Sequence, residues 1–154
     1  MYNSKKTSIW SILFTIKRKG PPAVAIWYGQ GKPNYLNEYS EDFILEMKKL
    51  QTNGYKQLHV TIKALVCDAP ARAFVKCIIA HSGYHCCERC MAVGTQKHGV
   101  RLLETTTLLR TDMAFKNNLY KEEGHQHESL FPLVQLNFPM EIGLPLDYMH
   151  LIMY

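Results

Sequence analysis

The densest group of chemically reactive residues lies between Val66 and Cys90, in the stretch VCDAPARAFVKCIIAHSGYHCCERC. Asp68 follows an apolar, strand-like run, and the carboxyl end of a sheet strand is where α/β proteins often place catalytic or metal-binding acids. Asp68 equally fits a helix N-cap, whose carboxylate accepts backbone N–H bonds. The two roles are compatible, so we take Asp68 as the candidate catalytic acid.

The same stretch ends in a pair of cysteines with metal-ligand spacing. Cys87 and Cys90 have the separation of a zinc knuckle, because two thiolates three positions apart around a tight turn can both reach one ion at ~2.3 Å. One pair is half a site, and imidazole nitrogen is the usual complement. We therefore predict a structural zinc ion held by Cys87, Cys90, His127 and His150, with His125 as a further candidate. The alternative is a loop of reduced cysteines.

A second polar stretch, GHQHESLFPL, contains two of these histidines. His125 and His127 are two residues apart, so in an extended segment their side chains would point to the same side. Both could then face one metal ion or one phosphate. A solvated loop is the alternative interpretation.

Composition and charge limit the class of protein. The chain has 154 residues, 47% of them hydrophobic, and a net charge of +5, which fits one domain with a real core and is compatible with a nucleic-acid partner. The five cysteines are an odd number bunched between Cys67 and Cys90, which argues against a disulfide framework and for a reducing intracellular compartment. No apolar run approaches the ~20 residues of a membrane span, so we predict a soluble protein without a membrane partner.

The elements that must position these residues follow from local patterns. Two runs rich in β-branched and aromatic residues, Ile9 to Ile16 and Ala23 to Gly29, predict an antiparallel hairpin across the turn KRKGPP. Ser40 is the predicted N-cap of the next helix, which should stop at Asn53-Gly54. An apolar stripe at helical spacing supports that helix, formed by Phe43, Ile44, Met47 and Leu50.

The residues on either side of Asp68 predict a strand and then a helix. Apolar side chains alternate with polar ones from Leu58 to Val66, the period-two signature of a strand with one buried face. A helix should start at Asp68, with Pro70 in its first turn, and continue until about His81. The order of elements is therefore strand, strand, helix, strand, helix, and the predicted class is α/β.

Several segments, in this order along the chain, carry a family resemblance: KKTSIWSIL, YGQGKPNYLNEY, KALVCDAPARAFVKCIIAHSGYHCCERC, RTDMAF, HQHESLFPL and LPLDYMHLIMY. Together they resemble the cut-and-paste DNA transposases of the RNase H-like, three-carboxylate type, especially the transposase-like proteins of animal genomes related to the CACTA group. The long middle segment is the most specific of them.

The resemblance implies a fold and a chemistry. Residues 1–82 would be a partial RNase H-like core that lacks its first strand, and residues 83–154 a zinc-knuckle-like segment and insertion. Asp68 would be the second acid of the catalytic triad, at the end of the fourth strand, and Cys87 and Cys90 would belong to a structural metal site. In such enzymes three carboxylates hold two Mg²⁺ or Mn²⁺ ions ~3.5–4 Å apart for in-line attack on a phosphodiester. The implied partner is DNA and the implied location is the nucleus.

The resemblance also suggests that this chain is a fragment. The family's first acid would lie upstream of Met1, and the C-terminal run PLDYMHLIMY reads as a helix that starts at Asp147 and is cut after about two turns. The third acid would lie past Tyr154 or among the acids available here, which are Glu122, Glu123, Glu128, Glu141 and Asp147. We therefore predict a transposase-derived chain that does not cut DNA by itself.

Other interpretations stay open. The protein could be a domesticated, non-catalytic module that binds DNA or another protein through a zinc-stabilised region and a basic surface. It could also be an unrelated zinc-binding α/β domain. Loss of a central strand would leave an unpaired sheet edge, which predicts association between copies of the chain through that edge.

Overall fold

The computed structural model describes residues 7–15, 22–96, 98–104, 106–128 and 132–146. This part of the chain is mixed α/β, with two small antiparallel sheets and three α-helices. It forms two compact units, residues 1–59 and 60–154, which are described separately. The division predicted after residue 82 stays a prediction, because these units are defined by packing alone.

The first unit begins with the predicted hairpin, which the structure confirms. Strands β1 (Thr7–Leu13) and β2 (Ala23–Gln30) pair antiparallel, with Trp10 opposite Trp27 and an irregularity between Ile12 and Leu13. Neither strand contains a fully buried residue, and no third strand joins this sheet within the described residues. Two-stranded sheets are marginally stable by themselves in water.

Helix α1 (Leu36–Asn53) follows the hairpin and begins one turn earlier than predicted. The N-cap position is Tyr35, so the prediction of Ser40 as the cap is wrong. Ser40 is buried inside the helix, where its hydroxyl donates to the Leu36 carbonyl at 2.7 Å, a bond that serine can make within a helix. The predicted stop is confirmed: Gly54 has φ 69° and its N–H donates to the Leu50 carbonyl.

The strand predicted from Leu58 to Val66 does not form, because the segment finds no neighbouring strand among the described residues. Its backbone is irregular between residues 59 and 68, and the Leu65 N–H donates to the Gly143 carbonyl at 2.8 Å. Val66 is 80% exposed, which contradicts the predicted inward face. Alternation of side chains is not sufficient for a strand when the backbone groups lack a partner.

Helix α2 (Ala69–Lys76) starts at Asp68 as predicted, with Pro70 in its first turn. It ends earlier than predicted, because Cys77 takes a left-handed conformation with φ 53°. The N–H groups of Cys77 and Ile78 then donate to the carbonyls of Phe74 and Ala73, the bonding pattern of a Schellman motif. The chain therefore turns away five residues before His81.

The remaining elements of the second unit are short and surround an apolar core. They are strands β3 (Thr95–Gln96) and β4 (Val100–Arg101), helix α3 (Asp112–Lys116) and a 3₁₀ turn (Pro132–Gln135). The Thr111 hydroxyl caps α3 by accepting from the Ala114 N–H at 3.3 Å. Core side chains with at most 1% exposure are Ala92, Phe115, Phe138, Met140 and Leu144.

Candidate functional site

Asp68 occupies the N-cap of α2, with its side chain exposed to solvent. Its Oδ1 accepts from the Ala71 N–H at 2.7 Å, and its carbonyl accepts from the Arg72 N–H at 2.8 Å. The cap uses one carboxylate oxygen, and a carboxylate can ligate a metal ion through the other. The structure therefore confirms the cap, and the role of Asp68 as a metal ligand stays a prediction.

Cys87 and Cys90 lie side by side, as their spacing predicts. Their Sγ atoms are 3.0 Å apart, and the Cys90 N–H donates to the Cys87 sulfur at 3.3 Å. Backbone bonds fix this turn against a second segment: Met91 N–H donates to the Leu108 carbonyl, and Arg110 N–H donates to the Arg89 carbonyl, both at 2.9 Å. The turn presents two thiols to one point in space.

The two thiols differ in acidity. A hydrogen bond from the Thr107 hydroxyl lowers the pKa of Cys90, whereas burial raises the pKa of Cys87. The thiolate is the form that binds a metal ion. All five cysteines are free thiols, and burial raises the pKa of Cys67 to about 11, as expected of an inert structural cysteine.

The two histidines of GHQHESLFPL differ in burial. His125 is fully buried, whereas His127 is exposed. Gln126 between them forms an isolated antiparallel bridge with Ile78, and its side chain bonds to the Tyr120 N–H and the Phe115 carbonyl. The predicted shared orientation of the two histidines stays a prediction. The fourth predicted ligand, His150, lies outside the described residues.

His125 has the hydrogen-bonding arrangement of a metal-ligating imidazole. Its Nδ1 lies 2.6 Å from the carbonyl oxygen of His85, two residues before Cys87, and its Nε2 is buried without a hydrogen-bond partner. A backbone carbonyl on one ring nitrogen fixes the tautomer and leaves the other nitrogen to bind. Among the described residues, however, no three His, Cys, Asp or Glu side chains form a group that could hold a metal ion.

We expect the metal-free protein to lose stability between pH 6.5 and pH 4. Burial lowers the pKa of His125 from 6.5 to about 4, so the imidazole stays neutral in the folded chain while the unfolded chain takes up a proton. This contribution is fully present above pH 6.5 and is lost as the pH falls toward 4, by about 3 kcal/mol. Urea unfolding across this range measures it. His125→Gln should flatten the slope and His127→Gln should keep it; equal slopes in both variants would contradict the assignment.

A buried charged cluster lies beside the cysteine turn, and the sequence interpretation did not find it. Arg72 and Lys76, one turn apart on α2, both contact Glu88, which stands between the two cysteines. Lys76 Nζ is also 3.6 Å from Glu141. The sequence does carry one signal for this cluster. Arg72 and Lys76 are four residues apart on a predicted helix, and residues with that spacing lie on the same face.

The acids considered as third member of a triad are not gathered around Asp68. Glu123 pairs with Arg110, Glu128 pairs with Lys121, and Glu141 pairs with Lys76. Asp147 lies outside the described residues. Within the described residues, Asp68 belongs to no group of three His, Cys, Asp or Glu side chains that could hold a metal ion.

None of the helices in the described part of the chain is long and apolar enough to cross a membrane. Comparisons with protein-family models, with curated proteins and with solved structures found no match.

Proposed function

We propose that this chain derives from a DNA transposase of the RNase H-like, three-carboxylate type, and that Asp68 is one of the carboxylates that bring divalent cations to DNA phosphate. The observation that carries the proposal is the position of Asp68. Its carboxylate is exposed at the start of α2 and is held by the cap through one oxygen. The helix thereby fixes a metal ligand at the surface, where a DNA backbone can reach it.

The order of elements supports the same proposal. Two paired strands, a long helix and then a helix that starts at an aspartate are in the order that follows the first strand of an RNase H-like core. The strand that should precede Asp68 is absent, and a strand needs a neighbour to satisfy its backbone groups. Binding to DNA in the nucleus belongs to this proposal, since transposition acts on chromosomal DNA.

A structural zinc ion completes the proposal for residues 83–154. Cys87 and Cys90 would supply two thiolates, and His125 is the described imidazole best prepared to supply a nitrogen, because its Nε2 is buried and unpartnered. His127 is exposed and so less suited. Zinc would contribute folding free energy to this segment directly. The two thiols and His125 do not form a ligand group in this structure. Zinc binding therefore requires these side chains to move closer to one another.

A non-catalytic binding module is the second candidate function. The ion pairs of Glu123 and Glu141 favour it, because carboxylates neutralised by buried cations are poor ligands for divalent ions. One free carboxylate also holds Mg²⁺ or Mn²⁺ weakly. We therefore expect DNA binding without efficient cleavage, with an affinity that falls steeply as salt rises.

The function of Asp68 is tested by measuring DNA affinity with and without Mn²⁺. Mn²⁺ should tighten binding of the wild type about tenfold by linking the carboxylate to a phosphate. Asp68→Ser keeps an N-cap but removes the carboxylate, so its Mn²⁺ response should vanish with little loss of stability. Asp68→Ala should lose the response and also about 1 kcal/mol of stability.

The matched control is Glu104→Gln, which removes a different exposed carboxylate and should respond to Mn²⁺ like the wild type. Fluorescence anisotropy with a labelled duplex gives the affinities. A Mn²⁺ response that survives in Asp68→Ser would remove Asp68 from the proposed site.

A further inference from the structure

Glu88 connects the cysteine turn to the helix that begins at Asp68. It lies between Cys87 and Cys90, and its carboxylate oxygens accept from Arg72 Nε at 2.8 and 3.0 Å. The two side chains are only 13% and 5% exposed. An ion pair with so little solvent around it is screened weakly. Its interaction energy therefore depends more strongly on geometry than that of a surface pair.

Arg72 also contacts the backbone next to Asp68. Its Nη1 donates to the carbonyl of Cys67 at 3.3 Å, and its backbone N–H donates to the carbonyl of Asp68 at 2.8 Å. The same Nη1 lies 3.4 Å from the Pro145 carbonyl. The Arg72 guanidinium thus connects Glu88 in the turn to the Cys67 carbonyl, next to Asp68.

The turn has additional anchors on the same side. Lys76, one helical turn after Arg72, is 3.6 Å from Glu88 Oε2. Arg89, the other residue between the cysteines, donates from Nη2 to the Leu144 carbonyl at 2.7 Å. A change in the shape of the turn must therefore displace Glu88 relative to two cations of α2.

We propose that Arg72 and Glu88 are positioning residues that couple the Cys87–Cys90 turn to the Asp68 carboxylate. When the turn is closed, Glu88 holds the Arg72 guanidinium in place, and Arg72 in turn holds the Cys67 carbonyl and the first turn of α2. When the turn opens, Arg72 loses its partner and the Asp68 cap loosens. The role of Asp68 as a metal ligand rests on the proposed function, whereas the coupling itself does not.

Hydrogen exchange of the Ala71 amide tests the coupling, because this N–H donates to Asp68 Oδ1. Glu88→Gln keeps the shape of the side chain but removes its charge, and it should speed exchange of Ala71 about 5- to 30-fold. The Leu136 amide, which donates to the Leu133 carbonyl, should stay within a factor of about two. Exchange is measured by NMR on the full chain.

Two further variants make the test specific. Arg72→Lys keeps the positive charge but loses the planar fork, so it should also speed exchange of Ala71, and it provides the test if Glu88→Gln does not fold. Glu123→Gln breaks a different ion pair, with Arg110, and should leave Ala71 unchanged. Unchanged Ala71 exchange in Glu88→Gln or in Arg72→Lys would overturn the coupling, as would equal acceleration at Ala71 and Leu136.

Zinc content is measured on the same samples to separate this inference from the proposed function. If the wild type binds no zinc but Glu88→Gln still loosens Ala71, the coupling stands and the zinc proposal fails. If zinc binds and slows Ala71 exchange equally in the wild type and Glu88→Gln, the coupling through Glu88 is wrong.

Discussion

Replacement of Cys87 or Cys90 by serine is expected to abolish zinc binding and to destabilise the segment after His81. The two sulfurs are 3.0 Å apart in a turn fixed by backbone bonds to residues 108–110, so the wild type should bind about one zinc ion per chain. Structural zinc can contribute ~10 kcal/mol to the folding of small domains. Either variant should therefore lower the free energy of unfolding by several kcal/mol when zinc is present.

Zinc content by atomic emission and urea unfolding with and without a chelator measure this effect. Cys86→Ser and Cys77→Ser are the matched controls, because each removes a thiol outside the pair and should retain zinc. His125→Gln should lower zinc affinity more than His127→Gln. A well-folded wild type that takes up no zinc would contradict the site, and equal loss in Cys86→Ser would contradict the assignment of its ligands.

The second large effect is expected at Lys76. Its side chain is fully buried, and its Nζ is 3.6 Å from both Glu88 and Glu141 and 5.1 Å from the ring centroid of Phe115. Burial lowers the pKa of Lys76 and raises the pKa of Glu141, so burial disfavours both charged forms. The attraction between the two charges opposes this effect. Lys76→Ala should cost about 3–5 kcal/mol, because it leaves the buried Glu141 carboxylate without its paired cation.

The double variant Lys76→Met with Glu141→Gln removes the ion pair without leaving an unpaired Glu141 carboxylate. It removes both charges at similar volume, and its cost should be smaller than that of Lys76→Ala, since replacing a buried ion pair is often nearly neutral. Thermal unfolding at neutral pH gives the comparison. A double variant as unstable as Lys76→Ala would show that an uncompensated carboxylate does not dominate at this site.

Local sequence signals predicted the parts of the fold that depend on local physics. The stop of α1 at Gly54 and the cap of α2 at Asp68 each depend on residues within a few positions of one another, and the hairpin pairs two strands that follow each other in the sequence. The proximity of Cys87 and Cys90 has the same basis, because a three-residue interval in a turn leaves little freedom. These features follow from residue type and spacing.

The features that the sequence did not predict depend on distant partners. The run from Leu58 to Val66 alternates like a strand, but a strand needs a neighbour that the described residues do not supply. His125 and His127 differ in burial, and the buried His125 ring contacts the carbonyl of His85, which is 40 residues away in the sequence. Such tertiary contacts override local periodicity.

The cluster around Glu88 at the candidate site also depends on tertiary contacts that the sequence did not predict. Arg72 and Lys76 have helical spacing that could have indicated a shared face, but nothing local links them to an acid sixteen residues away from Arg72. The cysteine turn brings Glu88 to α2 only when the chain folds back after Cys77. Charge pairs of this kind require the tertiary structure.

Mapping of Mn²⁺ binding by NMR tests the central claim, that Asp68 is a divalent-metal ligand, most directly. A paramagnetic ion broadens the signals of nearby nuclei, so substoichiometric Mn²⁺ in the presence of a DNA duplex should selectively broaden the amides of residues 67–69, 71 and 72. The broadening should disappear in Asp68→Ser and persist in Glu104→Gln. Broadening spread evenly over the exposed acids, or unchanged in Asp68→Ser, would contradict the assignment of Asp68 and with it the proposed transposase-type site.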